Sequence, residues 1–252
     1  MIPKIIHYCW LSDNPIPNEL QHYMSSWKKH LSDYEFVKWD FSRFDINSSI
    51  WVKEAFENKK YAFAADYIRM YALYTMGGIY LDMDVEVLKS FDDLLNQDHF
   101  LCYENSEHKV PEVAAFGTCK ESKWVKQILQ YYQDRHFVNE DGSFQTTPLP
   151  LVSKSVLYEN GITFAEVQNI SGFQQVSENN LAILPCDFFS PKSYTTGKLK
   201  VTQNTYSIHR FSGSWLPWEQ RMEHRLWQAL GLKPHRIMWH VDKWLRKIGI
   251  NR

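Results

Sequence analysis

The chain has 252 residues, 44% of them hydrophobic, with 28 basic and 29 acidic side chains and a formal net charge of -1. That length suits one core-bearing domain with room for a small terminal appendage, and the balanced charge excludes a global attraction to nucleic acid. Cys9, Cys102, Cys119 and Cys186 lie far apart with no Cys-x-x-Cys pair, which argues against a structural zinc site or a disulfide framework.

The opening run Met-Ile-Pro-Lys-Ile-Ile-His-Tyr-Cys-Trp is too short and too mixed for a secretory leader. No apolar run approaches the ~20 residues needed to span a bilayer. A cytoplasmic location is the expectation. Residues 5–10 are β-rich and follow Pro3, so they read as a first strand. A helix is expected over 18–30, a second strand over 34–39, a short helix over 50–57 and a longer one over 61–76. Gly77-Gly78 ends that helix. Residues 79–87 form the clearest strand. Further strands are expected near 99–103, 113–116, 162–167 and 205–209, with helices over 121–135 and 149–158. Strands alternating with helices indicate an α/β fold with a mainly parallel central sheet. From Pro217 the sequence turns helical again, so the expected division is a domain over 1–216 and a helical extension over 217–252.

Residues 79–87 read Ile-Tyr-Leu-Asp-Met-Asp-Val-Glu-Val. A continuous strand places Tyr80, Asp82, Asp84 and Glu86 on one face, with successive members about 6.5–7 Å apart. Three carboxylates that close repel one another unless water or a cation screens them, and a hard divalent ion with oxygen ligands would do so. The competing reading is an acidic edge strand facing solvent. The preceding helix weighs against it. Across 61–76 only Asp66 and Arg69 are charged, and a helix so apolar on most faces is a buried one. Asp66 and Arg69 are i,i+3 neighbours and can pair. A buried pair adds little net stability for its desolvation cost, so this one reads more economically as part of a site.

The ordered string Ala64-Ala65-Asp66-x-x-Arg69, then Gly77-Gly78-x-Tyr80-x-Asp82-x-Asp84, resembles the DxD sugar-transferase family 32. That family covers capsular-polysaccharide and mannosyl transferases. The same run is similar to the catalytic core of the large glucosylating bacterial toxins. The opening Ile2-to-Trp10 run fits as well, as do Ser207-Ile-His209 and Ser214-Trp215. Thr146-Thr147-Pro148 resembles a Thr-Gly-Pro turn of the family, with Thr147 in place of the glycine. The resemblance implies a GT-A-type nucleotide-binding fold and a retaining, metal-dependent transfer. It implies that Trp10 stacks on the base, with His7 and Tyr80 on the donor side. It implies that Asp66 and Arg69 hold ribose and donor sugar, and that Asp82 contacts ribose and sugar hydroxyls. Asp84 and His209 would bind Mn2+ or Mg2+, and Ser214 and Trp215 would contact the phosphates. No carboxylate stands out as a covalent nucleophile, which leaves front-face attack and double displacement both open.

The implied partners are a nucleotide-diphospho-sugar, with a UDP-sugar favoured, and a glycan or lipid-linked oligosaccharide acceptor in surface-polysaccharide assembly. Two rivals belong to other classes. A non-catalytic carbohydrate-binding module suits a chain with 10 Trp, 14 Tyr and 15 Phe, yet the acids and the Asp/Arg helix are surplus to sugar stacking. A DxD phosphatase wants Thr or Val where Glu86 stands. Residues 233–252 carry Lys233, Arg236, Lys243, Arg246, Lys247 and Arg252 against Asp242. On a helix Arg236, His240, Lys243 and Lys247 line a face adjacent to the apolar one that carries Trp244, a pattern expected to touch an anionic membrane surface.

Overall fold

The computed structural model describes residues 1–105, 109–177, 179–213, 222, 223 and 226. Ser214, Trp215 and nearly all of the tail over 217–252, including its basic stretch, lie outside the described residues. Among those described, no helix is long and apolar enough to cross a membrane.

A five-stranded sheet forms the centre, in the order β2-β1-β3-β6-β5. Strand β1 (Ile5–Cys9) runs parallel to β2 (Glu35–Trp39) and to β3 (Gly78–Leu81). Strand β6 (Ala115–Thr118) is antiparallel to β3 and to β5 (His99–Phe100), so four of the five strands point the same way. The α/β class and the mainly parallel sheet agree with the sequence.

Helix α1 (Asn18–His30) connects β1 to β2; α2 (Ile50–Glu57) and α3 (Tyr61–Met76) connect β2 to β3. Crossover helices of this kind are what parallel neighbours require. Ser49 caps α2 by accepting from the Val52 N–H at 3.3 Å. Gly77 and Gly78 have φ of 68° and 106°, and a Cβ on either would lie 2.7 Å from backbone, at Lys120 N and Ile5 O respectively. Only glycine fits that turn from helix to strand. One core cluster includes Trp39, Trp51, Ile68, Leu73 and Phe116; another gathers Ile6, Trp27, Ile79, Leu81 and Phe100. Ile79 and Tyr80 point to opposite faces of β3 yet are both buried, as in a strand covered on both sides.

The expected strand over 79–87 is two strands. The chain leaves the central sheet after Leu81 and turns at Asp82–Asp84, where the Val85 N–H donates to the Asp82 carbonyl at 3.0 Å. It then re-enters as β4 (Val85–Val87), which pairs antiparallel with β9 (Ser207–His209) in a separate two-stranded sheet. The other edge of β4 is met by side chains of α1. Trp27 Nε1 donates to the Val85 carbonyl at 2.7 Å, and the Val87 N–H donates to Ser26 Oγ at 2.8 Å. Helices α4 (Lys123–Tyr132) and α5 (Leu149–Glu159) follow, then β7 (Thr163–Glu166) parallel to β8 (Asn180–Ile183), a strand the sequence did not single out.

Candidate active site

The first strand ends, the Asp82–Asp84 turn, one face of α3 and the segment after β9 enclose a cleft of about 950 Å3. Its place outside the carboxyl ends of parallel strands is where open α/β sheets put their ligands. Trp10, Asp66, Arg69, Tyr80, Asp82, Asp84 and His209 all line it.

The turn gives the acids their arrangement. Because the chain bends after Leu81, Asp82 and Asp84 converge on His209 instead of spreading along a strand face. One ligand-type atom from each of the three lies within 4.8 Å of the others. Glu86 does not join them: its carboxylate pairs with Arg210, whose Nε donates to Glu86 Oε2 at 2.8 Å. The expected three-acid face is thus corrected to two acids and an imidazole. The imidazole arrives from β9, whose antiparallel register sets His209 opposite Val85, beside the turn. Asp84 is anchored by backbone, since the Ser212 N–H donates to its Oδ2 at 2.7 Å and the Arg210 N–H to its carbonyl at 3.0 Å.

Behind the imidazole stands Glu112, which the sequence reading missed. It is 1% exposed, accepts the Ala114 N–H at 2.7 Å, and lies 3.2 Å from His209 Nδ1. Nδ1 therefore donates to Glu112, and Nε2 faces Asp84 at 3.6 Å, a contact between charges too long for a hydrogen bond. Burial opposes the imidazolium, but Glu112, Asp84 and Asp82 outweigh it and push the His209 pKa up to about 9. Burial likewise opposes the Glu112 anion, and His209 together with the Ala114 N–H holds it below the usual carboxylate range. One sequence signal was available: Glu112 is the only charged residue between Val110 and Gly117.

A second cluster adjoins the first. Arg69, 5% exposed, reaches Asp66 Oδ1 at 3.1 Å, Asp82 Oδ1 at 3.4 Å and the Val113 carbonyl at 2.7 Å. Its guanidinium lies over the Tyr80 ring, 4.6 Å from the centroid, while the Tyr80 hydroxyl donates to Asp82 Oδ1 at 3.0 Å. The Asp66–Arg69 pair expected from spacing is present, and Asp82 joins it to the acid turn. Burial raises the Asp66 carboxyl to about 6 against the pull of Arg69. Burial also raises Asp82, against Arg69. Arg69 Nε is buried without a hydrogen-bond partner, an orphaned donor beside the cleft.

Trp10 lies at the end of β1 on the cleft wall, with its Nε1 donating to the Asn14 carbonyl at 2.8 Å. His7 is a correction. It is fully buried and does not line the cleft; Trp39 Nε1 donates to its Nδ1 at 3.0 Å, and its Nε2–H donates to the Gly77 carbonyl at 2.7 Å. His7 shares a face of the sheet with Cys9 and Tyr80, which do line the cleft, but it lies deeper along β1, where its ring holds the Gly77 carbonyl at the glycine turn. Pro148 and Leu149 line the cleft, so the 146–148 turn does approach it.

The donor set suits a hard divalent cation. Two carboxylates supply oxygen and one imidazole supplies nitrogen, a mixture compatible with Mn2+ or Mg2+. Glu112 is the kind of outer partner that fixes the tautomer and aim of a ligating imidazole. Asp82, Asp84 and His209 are therefore a candidate site for such an ion.

Comparisons with known proteins find similarity over part of the chain. Residues 17–101 match a family model described as a glycosyltransferase sugar-binding region containing a DXD motif. The chain is 35% identical over 99 residues to inositol phosphoceramide mannosyltransferase 3 of Schizosaccharomyces pombe, covering 38% of this chain and 28% of that protein. It is 33% identical over 108 residues to mannosyl phosphorylinositol ceramide synthase SUR1 of Saccharomyces cerevisiae, covering 40% and 27%. The matched stretch thus spans less than a third of either relative. Among solved structures, PaToxG glycosyltransferase is similar over 63% of this chain and 70% of its own, at 18% identity and a TM-score of 0.46. A glycosyltransferase involved in glycosylation of the major capsid of PBCV-1 is similar over 87% and 97%, at 10% identity and a TM-score of 0.43.

Proposed function

We propose that this chain is a divalent-cation-dependent glycosyltransferase that moves a hexose from a nucleotide-diphospho-sugar to a glycan or lipid-linked acceptor. The observation that carries the proposal is the convergence of Asp82, Asp84 and His209 in the cleft beside the buried Asp66–Arg69–Asp82 cluster. A structural acid cluster would have no use for a cleft of this size, and a module that only stacked sugars would have no use for the ligand set. The DXD match over 17–101 supports the same reading.

Breaking a sugar–diphosphate bond builds negative charge on the departing phosphate and positive character at the anomeric carbon. A bound divalent ion supplies Lewis-acid stabilisation of the leaving diphosphate. Asp82, Asp84 and His209 would hold it. For His209 to ligate through Nε2 it must release that proton, while Nδ1–H stays on Glu112; cation affinity therefore rises with pH. Arg69 is held charged by Asp82, Tyr80 and Asp66 despite its burial, so it keeps Asp66 and Asp82 pre-aimed at the cleft. Carboxylates so placed can accept hydrogen bonds from ribose or sugar hydroxyls and fix the donor's pose. Trp10 offers an indole on the cleft wall for a nucleobase. A retaining outcome and a role in surface-polysaccharide assembly are part of the proposal, on the resemblance alone. For the donor, the toxin-like opening run favours UDP-hexose, whereas the names of the two fungal relatives favour a mannosyl donor.

The test is a thermal-shift series with UDP-glucose, UDP-galactose and GDP-mannose, each with and without Mn2+, followed by assay of donor hydrolysis. One nucleotide-sugar should raise the melting temperature in a Mn2+-dependent way and be turned over. Stabilisation by free sugars with no nucleotide-sugar turnover would favour the carbohydrate-binding module. Release of phosphate from simple monoesters would favour the phosphatase.

A further inference from the structure

The donor reading leaves two residues of the segment after β9 unused. That segment wraps round Asp84: the Arg210 N–H donates to the Asp84 carbonyl at 3.0 Å, and the Ser212 N–H donates to Asp84 Oδ2 at 2.7 Å. Phe211 between them makes the bend, at a φ of 54° that residues with side chains rarely adopt. The Arg210 carbonyl accepts from Lys192 Nζ at 2.6 Å. Both main-chain groups of Arg210 are therefore fixed beside the candidate cation site. Its guanidinium is fixed as well. Nε donates to Glu86 Oε2 at 2.8 Å, Nη2 donates to the same oxygen, and the group lies 6.0 Å from the Tyr23 ring centroid. Arg210 and Tyr23 line the cleft and Glu86 does not, so the ion pair turns its positive end to the cleft. Glu86 occupies the Nε–Nη2 edge of the guanidinium and leaves the Nη1 hydrogens for a ligand. Ser212, which also lines the cleft, adds a second donor: its hydroxyl is buried without a hydrogen-bond partner.

We propose that Arg210 and the Ser212 hydroxyl bind the diphosphate of the nucleotide-sugar, and that Arg210 takes up the charge released on it during transfer. This rests on the glycosyltransferase reading for the identity of the anion, not for the anion subsite itself. Charge argues for it. Asp82 and Asp84 cancel the charge of a divalent ion, and Glu19, Glu104 and Glu112 also line the cleft, so an anion that enters needs further positive charge. Arg69 is shared among Asp66, Asp82 and the Val113 carbonyl, whereas Arg210 has one carboxylate partner among the described residues, and that partner is 26% exposed. Position agrees. Because both amides bond to Asp84, the two donors stand beside a residue proposed to hold the ion. In the transfer, the bond between the anomeric carbon and the terminal phosphate oxygen breaks, and its electron pair stays on that oxygen. The acceptor oxygen bonds to the carbon and releases its proton to water. The diphosphate thus ends with one more negative charge than the donor carried, and a guanidinium with an open edge is shaped to meet phosphate oxygens.

The test uses the full chain with inorganic pyrophosphate, UDP and GDP as probes, each titrated by calorimetry with and without Mn2+. Pyrophosphate should bind in the presence of Mn2+. Arg210→Gln should weaken that binding by about tenfold or more, the scale of one charged hydrogen bond, and weaken the preferred nucleoside diphosphate by a similar factor. Affinity for Mn2+ alone should hold within about twofold, with a melting temperature near that of the parent. Ser212→Ala, which keeps the N–H on Asp84, should weaken pyrophosphate by about three- to fivefold. Arg210→Gln combined with Glu86→Gln separates the loss of Arg210 from an unmasked Glu86 carboxylate, and should bind as weakly as Arg210→Gln alone. Where turnover is measurable, Arg210→Gln should lower kcat at least as strongly as it raises the KM for the nucleotide-sugar, because the charge it meets grows during the reaction. No Mn2+-dependent binding of pyrophosphate by the parent, parental affinity in Arg210→Gln and Ser212→Ala, or recovery in the double variant overturns the subsite. A raised KM with kcat unchanged overturns the uptake of released charge. Pyrophosphate binding that weakens as stated, in a protein that turns over no nucleotide-sugar, would sink the proposed function and leave the anion subsite standing.

Discussion

Two histidines, one buried and one largely so, divide this molecule into a frame and a site. His7 lies under the central sheet among apolar side chains, and burial drives its pKa down to about 4. His209 lies at the cleft among Glu112, Asp84 and Asp82, which together hold it near 9. Both rings are desolvated. The difference lies in what replaced the water: a carbonyl and an indole N–H for His7, carboxylates for His209. Burial alone thus says nothing about function, and the charge of the neighbours does.

The sharpest way to break this contrast is to remove charge from the site. Asp84→Asn should lower nucleotide-sugar turnover by about 10²–10³-fold or more, the scale of losing one electrostatic contact to a transition state. The same variant should melt near the parent temperature yet lose the stabilisation by Mn2+. Near-normal Mn2+-dependent turnover would show that Asp84 is not a ligand. The combined change Asp66→Asn with Arg69→Met comes next. It removes the buried pair but leaves Asp82 and the Val113 carbonyl without the guanidinium, so it should cost roughly 1–3 kcal/mol of stability while reducing turnover by about 10²-fold, far more than that loss explains. A folded and fully active double variant would return that pair to the frame.

The frame is tested through His7. His7→Gln should destabilise the fold by roughly 1–3 kcal/mol, because a buried carbonyl and indole N–H lose well-placed partners. Nucleotide binding should be unchanged. The pH dependence has a definite sign. Between pH 6.5 and about 4 the unfolded chain protonates His7 and the folded chain does not, so stability is present above 6.5 and drains away as pH falls toward 4. That component is about 3 kcal/mol at ~1.4 kcal/mol per unit. Urea unfolding of parent and variant across this window should show the parent losing more stability on acidification. Parallel profiles would place His7 outside the apolar cover. The smallest effect belongs to Glu86→Gln. Its part-buried pair with Arg210 is worth about 1 kcal/mol. Mn2+ affinity should hold within about twofold. A large loss would return Glu86 to the ligand set.

These outcomes track what local sequence could convey. The bounds of α1, α2 and α3 are legible because apolar periodicity, Ser49 and Gly77-Gly78 are all local signals. The Asp66–Arg69 pair is legible for the same reason, being an i,i+3 relation. The break at Asp82–Asp84 is not, because alternation continues through Met83 and what ends β3 is a distant strand pairing with Val85. Hence period 2 groups Glu86 with the acids, while His7 is set on the donor side by the family resemblance alone, which does not say how deep along its strand a residue lies. Glu104 and Glu112 reach the site through the bridge between Tyr103 and Pro111, a non-local pairing, and no motif marks either.

The Asp82–Asp84 turn also imposes a timetable. Its two acids are made early, but Ser212, which anchors Asp84, lies 128 positions later, and His209 arrives with the same late strand. At roughly 5–20 residues per second, a ribosome places on the order of ten seconds between the first ligands and the last. During that interval the emerging chain has the two acids without the imidazole that completes the proposed cation site. A nascent or prematurely ended product therefore lacks the full proposed ligand set, and its completion coincides with delivery of the strand that closes the second sheet.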